Sequence, residues 1–234
     1  MSPPLPLLPG LSVGGLPVQL RRSQRRTVSL RVTAQGLTVY APQRTEEAKL
    51  RCFVEDKRAW AERHLHRLQQ REPVTALLTD GFVLPLLGEA LILRALPDLK
   101  RAQQVGTDLH APSAALVSAV EVWYKTEAPR HFTPIVQHFA DQLGRGRPLS
   151  AVKITNAAGR WGSCTAAGAV RLHWRLLMAP PEILRYVAAH EVAHLAELNH
   201  SPRYWAEVAR LFPEYRAAKH WLKEHGAALM QPWH

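Results

Sequence analysis

The chain has 234 residues, and its 47% hydrophobic content favours a folded chain of one compact domain or two small ones over a disordered one. Its 30 lysines and arginines against 19 acidic residues give a formal net charge of +11, which favours polyanionic partners over cationic ones. Cys52 and Cys164 cannot form a disulfide framework or a Cys-rich zinc module, and no segment reaches the roughly 20 apolar residues of a membrane span. We therefore expect a cytoplasmic protein without membrane contact.

The N-terminal part of the chain is predicted to begin with a β-hairpin. Residues 1–20 are apolar but rich in proline, and they lack the basic start of a signal peptide. Polar and apolar side chains alternate over residues 27–32, and the alternation resumes at Leu37 and Val39, which predicts two strands and a turn. Basic residues on the outer face and its approach form either a phosphate-binding strip or a solvated face: Arg21, Arg22, Arg25, Arg26 and Arg31.

A long helix and a second hairpin are predicted next. The helix begins near Thr45 and ends before Pro73. The hairpin joins residues 82–87 to residues 90–96, and Pro85 predicts that its first strand lies at the edge of a sheet.

The second half of the chain is predicted to be richer in helix. A helical segment extends from Ser113 to Gly144, and Pro129 and Pro134 should kink or split it. Two strands are then predicted, at residues 152–154 and 170–176, on either side of a glycine-containing loop. The simplest division is a β-rich part at residues 1–112 and an α-rich catalytic part at residues 113–234, which together form one continuous compact unit.

The segment at residues 181–200 carries the pattern on which the functional interpretation depends. It reads PEILRYVAAHEVAHLAELNH, and its initial proline suits the first turn of a helix. Two apolar residues and two histidines follow at offsets of 4, 3 and 4 and so share one stripe of that helix: Ile183, Val187, His190 and His194. Two histidines one turn apart can bind one metal ion, and Glu191 lies beside the first.

A third ligand is predicted at His200. It stands ten residues after His190, about 1000° around an unbroken helix, so it reaches the same site only if the helix stops first. Asn199 tolerates a left-handed conformation, and Ser201 followed by Pro202 is the cap and first position of a new helix. The alternatives are a carboxylate ligand from Glu207 or Glu214, with His200 packed in the loop beside Trp205.

Zinc is the predicted metal, although copper and nickel also accept three imidazoles. The reason is Glu191, which has a role only if it deprotonates a metal-bound water. The predicted activity is therefore that of a zinc-dependent hydrolase.

These residues resemble the YgjP-like family of metallopeptidases, relatives of the SprT-like and WLM proteases. The spacing of the three histidines equals that of metzincins, but Glu197 stands where those enzymes have a turn-making glycine. The resemblance extends over nearly the whole chain and rests on these residues: Ala41-Pro42, Trp60, Arg160-Trp161-Gly162-Ser163-Cys164, Leu172-His173-Trp174-Arg175-Leu176, Ala179-Pro180, His190-Glu191-Val192-Ala193-His194-Leu195, Asn199-His200-Ser201 and Trp205.

The resemblance implies an α+β fold: a zincin-like domain with its active-site helix against a small mixed sheet, preceded by a β-rich part. It also implies that an edge strand of this sheet can receive an extended substrate. Arg160, Ser163 and Cys164 would then approach the cleft, with Arg160 near an anionic group or a developing oxyanion. The structural alternative has Trp161 in the core, Gly162 in a turn and Cys164 as a small buried side chain.

Three functions follow from these observations. The first is peptide hydrolysis, with Glu191 as the base that deprotonates a zinc-bound water and passes the proton to the leaving amine. The second is hydrolysis of a phosphoanhydride, as in a nucleoside triphosphate pyrophosphatase, for which the positive charge suits a polyphosphate. The third is a DNA-associated protease or a nucleic-acid-binding module. The sequence favours the first, with a peptide or protein as the substrate.

Overall fold

The computed structural model describes residues 6–33, 36–69 and 76–234. The chain divides into two compact units, Met1–Val74 and Thr75–His234. This division differs from the boundary predicted at residue 112. Strands before that residue bury Leu84, Leu93 and Leu109 in the same core as the C-terminal helices, and they belong to the second unit for this reason.

The described residues of the first unit form a four-stranded sheet and one helix. Its elements are β1 Leu7–Val13, β2 Leu16–Ser23, β3 Ser29–Thr33, β4 Gly36–Pro42 and α1 Glu47–Gln69. The strand order is β1-β2-β4-β3, and β3 pairs antiparallel with β4, as the predicted hairpin requires. Residues 34 and 35 of the predicted turn lie outside the described residues. The strands and α1 share one core, to which the helix contributes Leu50, Val54, Ala61 and Leu65.

The second unit contains two sheets and four helices. Its strands are β5 Val83–Leu86, β6 Glu89–Leu96, β7 Gln103–Val105, β8 Asp108–Pro112, β9 Ala151–Thr155, β10 Gly162–Cys164 and β11 Ala169–His173. Its helices are α2 Leu116–Leu143, α3 Pro181–Ala193, α4 Pro202–Leu211 and α5 Tyr215–Leu229. The sheet orders are β5-β6-β8-β7 and β10-β11-β9, and β5 with Pro85 lies at an edge, as predicted. Over the described parts of the chain, no helix has both the length and the hydropathy of a membrane span.

Helix α2 is not split by its two prolines, whereas the sequence analysis predicted that they would kink or split it. It continues unbroken through Pro129 and Pro134. A proline inside a helix costs about 3 kcal/mol or more, because it removes one backbone hydrogen bond and crowds the preceding turn. The helix buries a face on both sides of the prolines, and this burial offsets the cost: Val120, Tyr124, Phe132, Val136 and Phe139.

The second sheet carries the predicted active-site helix on one face. Strand β11 is central, parallel to β9 and antiparallel to the edge strand β10. Helix α3 packs against β10 and β11 and against helices α2, α4 and α5. The architecture is α+β with this helix against a small mixed sheet, as predicted. The edge strand β10, too short to show periodicity, was not predicted.

The packing of α2 predicts a large effect of truncating Phe132. This side chain is fully buried, so Phe132→Ala should lower the free energy of unfolding by roughly 3–5 kcal/mol. Thr133→Ala, at the exposed next position, should change it by less than about 0.5 kcal/mol. Urea unfolding followed by tryptophan fluorescence measures both. Equal effects of the two variants would contradict the packing described for α2.

Candidate metal centre

Helix α3 places His190 and His194 close together, because both lie on the same stripe of the helix as its buried apolar residues. Its first residue is Pro181, whose fixed φ suits the start of a helix. Ile183 and Val187 are buried on the stripe that continues to His190, which is only partly buried. This face of the helix is therefore buried at Ile183 and Val187 and partly accessible at His190.

The helix ends at Ala193, before His200 as the sequence analysis required, but six residues earlier than the predicted stop at Asn199. The N–H of Leu195 donates to the carbonyl of Val192 at 2.8 Å, which tightens the last turn. Asn199 acts through its side chain, whose Oδ1 accepts from the N–H of Ser201 at 3.1 Å, and it does not adopt a left-handed conformation.

Helix α4 begins immediately after this turn. Oγ of Ser201 accepts from the N–H of Tyr204 at 3.3 Å, so Ser201 is the predicted cap and Pro202 the first helical residue.

The turn brings His200 back to His190 and His194. The candidate ligand nitrogens of the three side chains all lie within 4.8 Å of one another, and Nε2 of His190 is 3.4 Å from Nε2 of His200. Two imidazole nitrogens bound to one tetrahedral zinc at about 2.0–2.1 Å would lie about 3.4 Å apart. The spacing of the His190 and His200 nitrogens therefore fits a zinc-sized ion, and a nitrogen of His194 lies within 4.8 Å of both.

The orientation of the imidazoles is set by their neighbours. Nδ1 of His194 lies 3.0 Å from the carbonyl oxygen of Glu197 and can donate to it, which leaves Nε2 free to bind a metal. The Tyr204 ring stacks on His194 with 4.5 Å between centroids, and its hydroxyl donates to the carbonyl of His190 at 2.9 Å. Nδ1 of His190 is buried, without a hydrogen-bond partner among the described residues.

Arg147 also holds the end of α3, a role that the sequence analysis missed. Its Nη2 donates to the carbonyl of His194, and its backbone N–H donates to the carbonyl of Leu195 at 2.9 Å. Gly146 permits this approach, since a Cβ there would lie 2.5 Å from the Leu195 oxygen. Carbonyls at a helix end lack partners within the helix, so a cation from a distant loop is a suitable cap. The sequence of residues 145–148 predicts a turn, but it does not indicate which residues Arg147 contacts.

The electrostatics of the site favour neutral imidazoles beside a buried acid. Burial, together with its neighbours His194 and His200, lowers the pKa of His190 to about 3, and burial also lowers the pKa of His194. Burial raises the pKa of Glu191 to about 8, although Arg160 opposes the rise. Neutral imidazoles are the form that binds metals, and a cation would stabilise the buried carboxylate. The donor set therefore also fits a metal ion in its charge.

The predicted substrate-binding residues lie on and just before β10. Arg160 is exposed, and it is close enough for its charge to lower the pKa of Glu191. Trp161 packs edge-on against His173, with 5.7 Å between ring centroids, a contact of the kind expected from a structural role. Ser163 and Cys164 are partly buried in the strand, where burial raises the pKa of the Cys164 thiol.

The rival carboxylates do not join the group of three histidines. Glu207 is buried and forms ion pairs with Arg145 and with Arg210, the latter at 3.0 Å, so its charge is already balanced. Glu214 is exposed at the start of α5.

The arginine strip of the first unit divides into structural and exposed side chains. Nη1 of Arg22 donates to three backbone carbonyls, those of Pro42, Gln43 and Thr45. Arg25 lies over the ring of Tyr40 at 5.7 Å. The exposed members of the strip are Arg21, Arg26 and Arg31.

Comparison with known proteins gives a match over most of the chain. Residues 26–225 match the family model described as YgjP-like, metallopeptidase domain. No curated protein matches the chain.

Two solved structures show partial similarity. One is the metallopeptidase zymogen of Pyrococcus abyssi abylysin, with 27% identity, a TM-score of 0.36, and coverage of 44% of this chain and 99% of that one. The other is the metallopeptidase zymogen of Methanocaldococcus jannaschii jannalysin, with 19% identity, a TM-score of 0.35, and coverage of 42% and 96%.

The geometry predicts that His200 contributes strongly to metal affinity. Mutations of side chains that only orient a metal ligand typically weaken metal binding by about 10- to 100-fold. The loss of a ligand itself in His200→Ala should therefore weaken zinc binding by at least about 100-fold. Competition with a chromophoric chelator measures the affinity. His220→Ala, a matched change at an exposed histidine of α5, and Glu214→Ala should both retain wild-type affinity. Wild-type affinity in His200→Ala would reject this ligand set.

Proposed function

Since the chain belongs to the YgjP-like family of metallopeptidase domains, we propose that it is a zinc-dependent peptidase in which Glu191 is the general base. The observation that carries the proposal is the group of three histidines whose candidate ligand nitrogens lie within 4.8 Å of one another, with Glu191 at the helical position next to His190. Three protein ligands and one open position are typical of catalytic zinc sites, whereas structural sites have four.

His190, His194 and His200 would hold the metal ion. When bound there, the ion supplies Lewis acidity, which lowers the pKa of water toward neutrality and polarises a substrate carbonyl. Zinc is proposed over copper and nickel because the three imidazoles are accompanied by a carboxyl group suited to proton transfer.

Glu191 would move the proton. It follows His190 directly and is therefore displaced about 100° around the helix, so it lies beside the metal position without occupying a ligand site. Its carboxylate takes a proton from the attacking water as the new bond forms to the carbonyl carbon. The same group then delivers the proton to the amide nitrogen as the C–N bond breaks.

The edge strand β10 is suited to hold the substrate. Among the strands that the structure describes, it pairs only with β11, so its other edge can accept an extended peptide as an added strand. It runs beside Glu191, so a peptide in that position would bring a backbone carbonyl near the base. Arg160 precedes the strand and would contact an anionic group of the substrate or the developing oxyanion.

Glu191→Gln tests the proposed base because it keeps the shape of the side chain and removes its basicity. General-base catalysis typically contributes about 10²- to 10⁴-fold, so turnover should fall by that factor while zinc content and melting temperature stay unchanged. The assay compares zinc-loaded protein on a quenched peptide library and on nucleoside triphosphates. Glu182→Gln, on the exposed first turn of the same helix, is the matched control and should keep full activity. Full peptide turnover in Glu191→Gln, or hydrolysis of triphosphates alone, would refute the proposal.

A further inference from the structure

Gly162 of β10 lies directly against the Glu191 side chain. A Cβ at residue 162 would lie 2.6 Å from Oε1 of Glu191, 2.7 Å from its Cγ and 2.9 Å from its Cδ. Real Cβ atoms essentially never come within 3.0 Å of such atoms, so any side chain here would require a shift. The backbone of Gly162 has no positive φ, and a left-handed conformation is therefore not the reason for a glycine.

The strand cannot easily be the part that shifts. It is paired with β11 along its length, and the N–H of His173 donates to the carbonyl of Trp161 at 2.8 Å. Behind it, the Trp161 ring packs against α5 at Gly226, where a Cβ would lie 3.1 Å from Nε1 of the indole. The segment is thus held between α3 and α5, with a glycine at each contact.

The Glu191 side chain is the part that can move, because its bonds rotate and its carboxylate has no hydrogen-bond partner described in the structure that would hold it. We infer that Gly162 is a positioning residue, whose lack of a side chain sets where the Glu191 carboxylate lies. This inference rests on the proposed function, since it concerns the proposed base. It assigns Gly162 a role different from the turn that the sequence suggested.

A side chain at residue 162 should lower activity without lowering the stability of the fold. In Gly162→Ala the strand backbone accepts alanine readily. The crowding, which includes Cγ of Glu191 at 2.7 Å, is relieved by rotation of the whole Glu191 side chain, and this rotation displaces the carboxylate. A misplacement of about 1 Å in a reacting group can lower the rate about 10²-fold. Gly162→Ala should therefore lower kcat about 100-fold, with KM, zinc content and melting temperature close to wild type.

The experiment is a double-mutant cycle on kcat, with a quenched peptide that the wild-type protein cleaves. Gly162→Ala, Glu191→Gln and the double variant are compared with wild type. A residue that acts only through the base has no further effect once the base is removed, so the double variant should match Glu191→Gln within about threefold. Ala166→Ser is the control, because it adds one heavy atom at an exposed position just after the same strand, and it should retain activity within about threefold.

Three results would overturn the inference: wild-type kcat in Gly162→Ala, multiplied losses in the double variant, or an equal loss in Ala166→Ser. A Gly162→Ala protein that no longer binds zinc or folds would also contradict it, because the crowding would then have displaced the strand or helix. Failure of the proposed function is distinguishable, since Glu191→Gln alone would then remain active.

Discussion

The end of helix α3 is the constraint on which the site depends. An unbroken helix would carry His200 about 1000° from His190, whereas a helix that stops at Ala193 lets the chain turn back within a few residues. Two side chains donate to carbonyls at this end, and a third residue caps the helix that follows. Ser201 caps the next helix, Tyr204 donates to the carbonyl of His190, and Arg147 donates to the carbonyl of His194. The contacts that end α3 and begin α4 therefore also determine where the three histidines lie.

The second determinant is burial of an acid among neutral bases. Glu191 is 6% exposed, and its pKa is raised because burial disfavours the carboxylate, while burial also keeps His190 uncharged. Ionising Glu191 beside neutral imidazoles lowers the stability of the fold unless a cation balances the carboxylate charge. A low-dielectric site also strengthens the interaction of a cation with its ligands, so the burial that opposes an isolated carboxylate supports a metal centre.

The three histidines were predictable because their signals are local. Offsets of 3 and 4 residues give the helical face, and Ser-Pro gives the start of α4. The roles of Arg147 and Gly162 were not predictable in this way, because each acts on α3 from a segment that is distant in sequence. The domain boundary and the unbroken α2 depend on tertiary burial, which overrides local breaker signals such as Pro129. The predicted compartment and polyanion contact stay predictions.

The central claim is that three imidazoles and no other side chain bind the metal, with one position left open. Zinc K-edge X-ray absorption on the zinc-loaded protein tests this most directly. The claim predicts imidazole scattering from three histidines at about 2.0–2.1 Å, together with one additional oxygen. A sulfur scatterer at about 2.3 Å, which would bring Cys164 into the site, or scattering from only two imidazoles would contradict it.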